Sequence, residues 1–120
     1  MKTILLIEDE SALQKTIGDA LSQEGFSILS ALDGEVGLRL AQEKRPNVIL
    51  LDLILPKANG FDVLKSLKEQ EATKDIPVVV LTNLESMEDI QKALDLGATT
   101  YLVKSNYTLE EVVEKVKQAA

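Results

Sequence analysis

The 120-residue chain contains no cysteine and no histidine. The first absence removes disulfides, thiolate metal sites and cysteine nucleophiles. The second removes the commonest general base, the commonest zinc ligand and any Ser-His-Asp constellation. Positive charge is in deficit as well: 13 Lys and Arg against 20 Asp and Glu leave a formal net charge of −7. That balance disfavours sequence-independent contact with nucleic acid or with an anionic membrane. No apolar run approaches the roughly 20 residues of a membrane span. The opening run from Met1 to Ile7 meets Glu8-Asp9-Glu10 too early to form a signal-peptide core. The expectation is a cytoplasmic protein with no direct nucleic-acid or membrane contact.

What is present suffices for one domain over residues 1–120. Hydrophobic residues make up 45% of the chain, and a chain of this size buries roughly two-thirds of its unfolded surface. Five short apolar runs stand out: Ile4–Ile7, Phe26–Ala31, Val48–Leu51, Val78–Leu81 and Thr99–Val103. Their continuous rather than alternating apolarity predicts strands covered on both faces.

Helical spacing fills the intervals. Leu13, Ile17, Ala20 and Leu21 form one stripe closed by Gly25, and Val36, Leu40 and Ala41 form another before Pro46. Phe61, Leu64 and Leu67 carry a third. Met87, Ile90, Ala93 and Leu94 carry a fourth, ended by Gly97. Leu109, Val112, Val113 and Val116 carry the last, with Thr108 as N-cap and capping-box spacing to Glu111. Strands alternating with helices predict an α/β domain, a five-stranded parallel sheet with helices on both faces.

The polar residues that follow the runs carry the functional signal. The first strand ends in Glu8-Asp9, the third in Asp52, the fourth in Thr82 and the fifth in Lys104. The second ends in Ser30 and Ala31, without charge. Doubly wound sheets bind ligands beyond the carboxyl ends of their strands. In the common order 2-1-3-4-5 the first and third strands are neighbours at the switch point. Glu8, Asp9 and Asp52 then share one crevice. Three carboxylates repel one another, and an oxygen-rich acidic cup suits Mg²⁺. A cation and a lysine beside a carboxylate are arranged to neutralise a phosphoryl group, which an Asp can receive as nucleophile. Taken singly, each of Asp9, Asp52, Thr82 and Lys104 is as well explained as a cap or a turn residue. Tyr101 alone would be a half-buried packing residue. Four strands ending on compatible chemistry is the observation that separates the two readings.

These residues resemble the receiver domain of bacterial two-component response regulators over essentially the whole chain. The matching pieces are Ile4–Glu10, Val48–Pro56, Asn59-Gly60-Phe61, Pro77–Thr82, Gly97-Ala98 and Tyr101–Lys104. The strand order 2-1-3-4-5 is itself that of a receiver, so it adds no independent support. The resemblance implies that Asp52 is the phospho-acceptor. It implies Mg²⁺ held by Asp9 directly, by Glu8 partly through water, by Asp52 and by the backbone carbonyl of Ile54. Thr82 would move onto the phosphoryl group and vacate space for Tyr101 to turn inward, and Lys104 would be the ion-pair partner. The donor would be the phosphohistidine of a histidine kinase or histidine phosphotransferase. Output would pass through the face of the fourth helix, fifth strand and fifth helix to an output domain, an effector or a second copy. The domain would be a signalling phospho-acceptor that assists its own phosphorylation and dephosphorylation, not an enzyme acting on other molecules.

Three positions depart from the family pattern. Asn83 stands where a small residue is usual, Glu8 where Asp is commoner, and Ser105 where a cis proline often follows the lysine. A trans Lys104–Ser105 bond is expected, because a cis bond before a non-proline residue costs about 2.5–4 kcal/mol. Asn106 is then a candidate for a left-handed turn that aims Lys104.

Other functions are weighed on the same residues. A degenerate receiver usually lacks the acceptor Asp or the Lys, and both are here. A flavodoxin-like cofactor binder needs a phosphate loop after the first strand, where Glu8-Asp9-Glu10 would repel phosphate. A metal-dependent phosphohydrolase wants an acid or base just after Asp52, where Leu53, Ile54 and Leu55 stand. A designed or consensus scaffold retaining the family site would share the same chemistry.

Overall fold

The apolar runs form five parallel strands in the computed structural model, which describes residues 1–120. They are β1 (Thr3–Ile7), β2 (Ser27–Ala31), β3 (Val48–Leu51), β4 (Val78–Thr82) and β5 (Thr100–Val103). The sheet order is β2-β1-β3-β4-β5, as expected. Five helices alternate with them: α1 (Ser11–Gln23), α2 (Gly34–Lys44), α3 (Gly60–Glu69), α4 (Met87–Asp95) and α5 (Leu109–Ala119). No helix is long and apolar enough to cross a membrane.

Alternation along each buried strand splits the core in two. Leu5, Ile7, Ile49, Leu51, Val78 and Val80 face α2, α3 and α4 in a cluster of 15 buried residues. Ile4, Leu6, Val48, Leu50, Val79 and Leu81 face α1 and α5 in a second cluster of 12. Each fully buried Leu, Ile or Val contributes about 1.5–3 kcal/mol relative to an exposed one.

The helix ends follow the sequence signals closely. Asp33, Asn59 and Ser86 cap α2, α3 and α4 through their side chains, and Thr108 with Glu111 completes the capping box of α5. Gly25 and Gly97 take φ of 96° and 109° beyond α1 and α4, a region where a side chain would be strained.

Three local expectations shift. Phe26 does not open β2, because its amide closes the end of α1 on the Leu21 carbonyl and pairing begins at Ser27. Thr99 bonds Val78 through both its amide and its hydroxyl just ahead of β5. Asn106 is not left-handed: Lys104–Asn106 wind as a single 3₁₀ turn, and Arg45 and Lys57 are the non-glycine residues with positive φ. A turn that runs straight on from β5 needs no left-handed residue to redirect it. Every peptide bond is trans, Lys104–Ser105 included.

Candidate functional site

Strand register assembles the site. Ile7 pairs with both Ala31 and Leu51, Leu51 pairs with Val80, and Thr82 pairs with Val103. The next residue along β1, β3 and β5 therefore emerges at a common rim: Glu8 beside Asp52, and Lys104 just past the Thr82–Val103 pair. The Asp52 amide extends the ladder by donating to the Ile7 carbonyl at 3.0 Å.

Lys104 reaches across this rim. Its Nζ lies 2.9 Å from Asp52 Oδ2 and 2.8 Å from Glu8 Oε1, with Glu10 Oε1 farther off at 3.5 Å. Glu8 and Asp52 are only 6% and 5% exposed, so leaving either charge without the lysine would be costly. Main-chain amides complete the two acids. Glu10 N–H donates to Glu8 Oε2 at 3.0 Å, and Ile54 N–H donates to Asp52 Oδ1 at 3.1 Å. Asp9 is exposed and carries no ion pair, yet its carboxylate lies within 4.8 Å of those of Glu8 and Asp52. The capping explanation of this acidic stretch fails, since Glu10 begins α1 without any side-chain cap bond.

The electrostatics follow from this packing. Burial pushes the Glu8 carboxyl above its usual range, opposed by the Lys104 and Glu10 hydrogen bonds and reinforced by the negative charge of Asp52. Burial alone would lower the Lys104 ammonium, but the hydrogen bonds and charges of Glu8 and Asp52 outweigh it and hold the group firmly protonated. One lysine faces several carboxylates, and the donor set is entirely oxygen. That is the chemistry of a hard divalent cation site.

The hydroxyl and the tyrosine occupy the β4–β5 side. Thr82 is fully buried, and its hydroxyl makes one long bond, accepting from Leu84 N–H at 3.4 Å. Its own hydrogen remains available to another acceptor. Tyr101 is half-buried against the α2–α3–α4 core, and its hydroxyl donates to the Leu84 carbonyl at 2.8 Å. In this conformation that bond anchors the ring. Burial first, then the charges of Asp89 and Asp52, push the Tyr101 phenol up to about 12. Behind the acids, α3 begins against the Asp52–Leu53 backbone: Gly60 N–H donates to the Leu53 carbonyl at 3.1 Å.

The sequence profile of the response regulator receiver domain matches residues 4–117. The chain belongs to the receiver-domain family. It is 38% identical over 117 residues to the DNA-binding dual master transcriptional regulator RpaA of a Synechocystis strain, covering 98% of this chain and 48% of that protein. The receiver spans about half the length of such curated relatives. Among solved structures, the Mn²⁺-bound form of response regulator Rcp1 superimposes with a TM-score of 0.84 at 32% identity, covering 98% of this chain and 91% of that one. The phosphorylated cyanobacterial phytochrome response regulator RcpA gives 0.83 at 36% identity, covering 98% and 89%.

The structure brings together Glu8, Asp9, Asp52 and Lys104 as anticipated, with Ile54 contributing its amide to Asp52. It adds groups the sequence reading passed over. Glu10 approaches Lys104, the Leu84 backbone anchors both Thr82 and Tyr101, and Gln14 donates to main-chain carbonyls behind Glu8. Backbone partners leave no mark in a sequence, so the Leu84 and Gln14 contacts had no signal to find, whereas Glu10 stands in the acidic run Glu8-Asp9-Glu10.

Proposed function

We propose that residues 1–120 act as a phosphorelay receiver, in which an Asp52 carboxylate oxygen takes a phosphoryl group from the phosphohistidine of a histidine kinase or histidine phosphotransferase. The P–N bond breaks with its electron pair returning to the imidazole nitrogen, and a P–O bond forms to give an aspartyl phosphate. The carrying observation is the buried Asp52 carboxylate, fixed by the Ile54 amide at 3.1 Å and by Lys104 at 2.9 Å, beside two further acids. A phosphoryl group adds roughly −1.5 to −2 of charge. Lys104 and the spare Thr82 hydrogen supply the compensation on this chain.

Mg²⁺ fits the all-oxygen donors, with Glu8, Asp9, Asp52 and the Ile54 carbonyl as the residues that would hold it. When bound, it neutralises negative charge on the transferring group. Asp9 is the acid that Lys104 leaves uncommitted, so it is the natural direct ligand. The domain is a signalling element that promotes its own modification, rather than an enzyme acting on other molecules. Thr82 and Tyr101 share the Leu84 backbone, so a Thr82 movement toward the phosphoryl group is read at α4 and β5. The surface of α4, β5 and α5 then meets an output domain, an effector or a second copy.

Incubation with Mg²⁺ and acetyl phosphate tests the reading. The expected result is a single phosphoryl adduct by intact-mass spectrometry, absent in Asp52→Ala and absent when Mg²⁺ is chelated. An adduct that persists in Asp52→Ala overturns it.

A further inference from the structure

Gln14 sits on the first turns of α1, half-buried and facing the ends of two strands. Its Nε2 donates to the Ala31 carbonyl at 2.9 Å and to the Glu8 carbonyl at 3.2 Å, with the Leu6 carbonyl at 3.5 Å. The Ala31 carbonyl also accepts the Glu8 amide at 3.0 Å. One carboxamide therefore holds the Glu8 backbone on both sides, the carbonyl of the Glu8–Asp9 peptide directly and the N–H of the Ile7–Glu8 peptide through a shared acceptor. A cavity of about 10 Å³ bordered by Gln14, Glu8 and Asp52 places all three at one small void beneath the rim. Three carbonyl acceptors around one nitrogen fix the orientation of the amide, because its oxygen would be repelled there.

The Glu8 side chain has little slack beyond that peptide. One oxygen is bound to Lys104 and the other to the Glu10 amide. A rotation of the Glu8 peptide would swing the Glu8 carboxylate and carry Asp9, the next residue, with it. β2 brings no charged side chain to the rim, yet through Ala31 and Gln14 it joins the support of the acidic pair.

We infer that Gln14 is a positioning residue for the cation site, its carboxamide fixing the Glu8 peptide and so the aim of the Glu8 and Asp9 carboxylates. This rests on the Mg²⁺ reading above. Groups that orient metal ligands typically cost 10–100-fold in affinity when removed.

The test is calorimetric titration of Mg²⁺ into the parent, Gln14→Met and Val116→Ala, with urea unfolding of all three. Met keeps the side-chain length and removes the donors, while Val116→Ala truncates the buried α5 core away from the rim. Gln14→Met is expected to raise the Mg²⁺ Kd about 10-fold. Val116→Ala should lose stability and keep the parent Kd. Labelling of Asp52 by acetyl phosphate should slow in Gln14→Met at subsaturating Mg²⁺ and recover at saturation. An unchanged Kd in Gln14→Met overturns the inference and leaves the phosphorelay reading standing. A parent that neither binds Mg²⁺ nor is labelled at Asp52 overturns both. If Gln14→Met does not fold, NMR of the parent decides. The Gln14 side-chain NH₂ should exchange more slowly than that of exposed Gln118 and shift on Mg²⁺ addition. Fast exchange with no shift counts against the role.

Discussion

Replacing Lys104 with Met tests how the acidic cluster is held. The ammonium lies 2.8 Å from Glu8 and 2.9 Å from Asp52, with 13% of its side chain exposed against 8% and 5% for the two acids. At an effective dielectric constant of about 20, each contact is worth about 6 kcal/mol gross. Desolvation of the three groups cancels most of this, and removing one partner of a buried pair leaves a net cost of about 3–5 kcal/mol. The lower figure applies, since the rim opens toward Asp9. At about 2.1 cal/mol/K of unfolding entropy per residue, a loss of about 3 kcal/mol lowers the Tm by about 12 °C. Thermal denaturation in EDTA is the assay. Adding Asp52→Asn to Lys104→Met should raise the Tm again, because it removes one of two facing negative charges. Lowering the pH from 7 toward the ordinary glutamate value of 4.5 should narrow the gap. Without Lys104 the folded state takes up a proton at Glu8 that the unfolded chain does not, so stability rises as pH falls. A Tm within about 2 °C of the parent in EDTA, or a further fall in the double variant, refutes the account.

Two other perturbations probe the surroundings. A Cβ at Gly60 would lie 2.6 Å from the Leu53 carbonyl oxygen and 2.7 Å from that of Asp52, backbone atoms that cannot step aside. Gly60→Ala should cost about 3 kcal/mol in urea unfolding and slow Asp52 labelling, whereas parent-like behaviour in both would show that α3 does not brace the site. The chain has two tyrosines and no tryptophan, so ultraviolet titration of Tyr107→Phe isolates Tyr101. Its midpoint should fall near 12. The folded state then keeps a proton between the ordinary value of 10 and that midpoint, and stability declines with rising pH across this range. A midpoint near 10 would mean the Tyr101 hydroxyl is not held as described.

The architecture was legible because local signals agreed. Val48–Leu51 and Val78–Leu81 read as doubly covered strands and are fully enclosed between the helical layers. Thr108 and Glu111 announced a capping box that the structure contains. The cluster of Glu8, Asp52 and Lys104 was legible because each sits one residue past a strand end, and parallel register carries those positions to the same rim. What escaped was decided by the main chain. Asn106 looked suited to a left-handed turn, but the 3₁₀ turn of Lys104–Asn106 needs no such residue. Gln14 looked like an ordinary polar position on a helix, because its partners are carbonyls at Glu8 and Ala31 that any side chain would provide.

The division of the interior into two cores has a consequence for how such a chain can change over time. The sheet is a partition: residues of opposite parity along β1, β3 and β4 belong to different neighbourhoods, and the two clusters share no side chain. A volume change beneath α1 and α5 can be answered by neighbours beneath α1 and α5, leaving the packing under α2, α3 and α4 undisturbed. Lineages can therefore rework the two faces on separate schedules. The acids and lysine stay at the open end of the partition, where both histories must keep them in register.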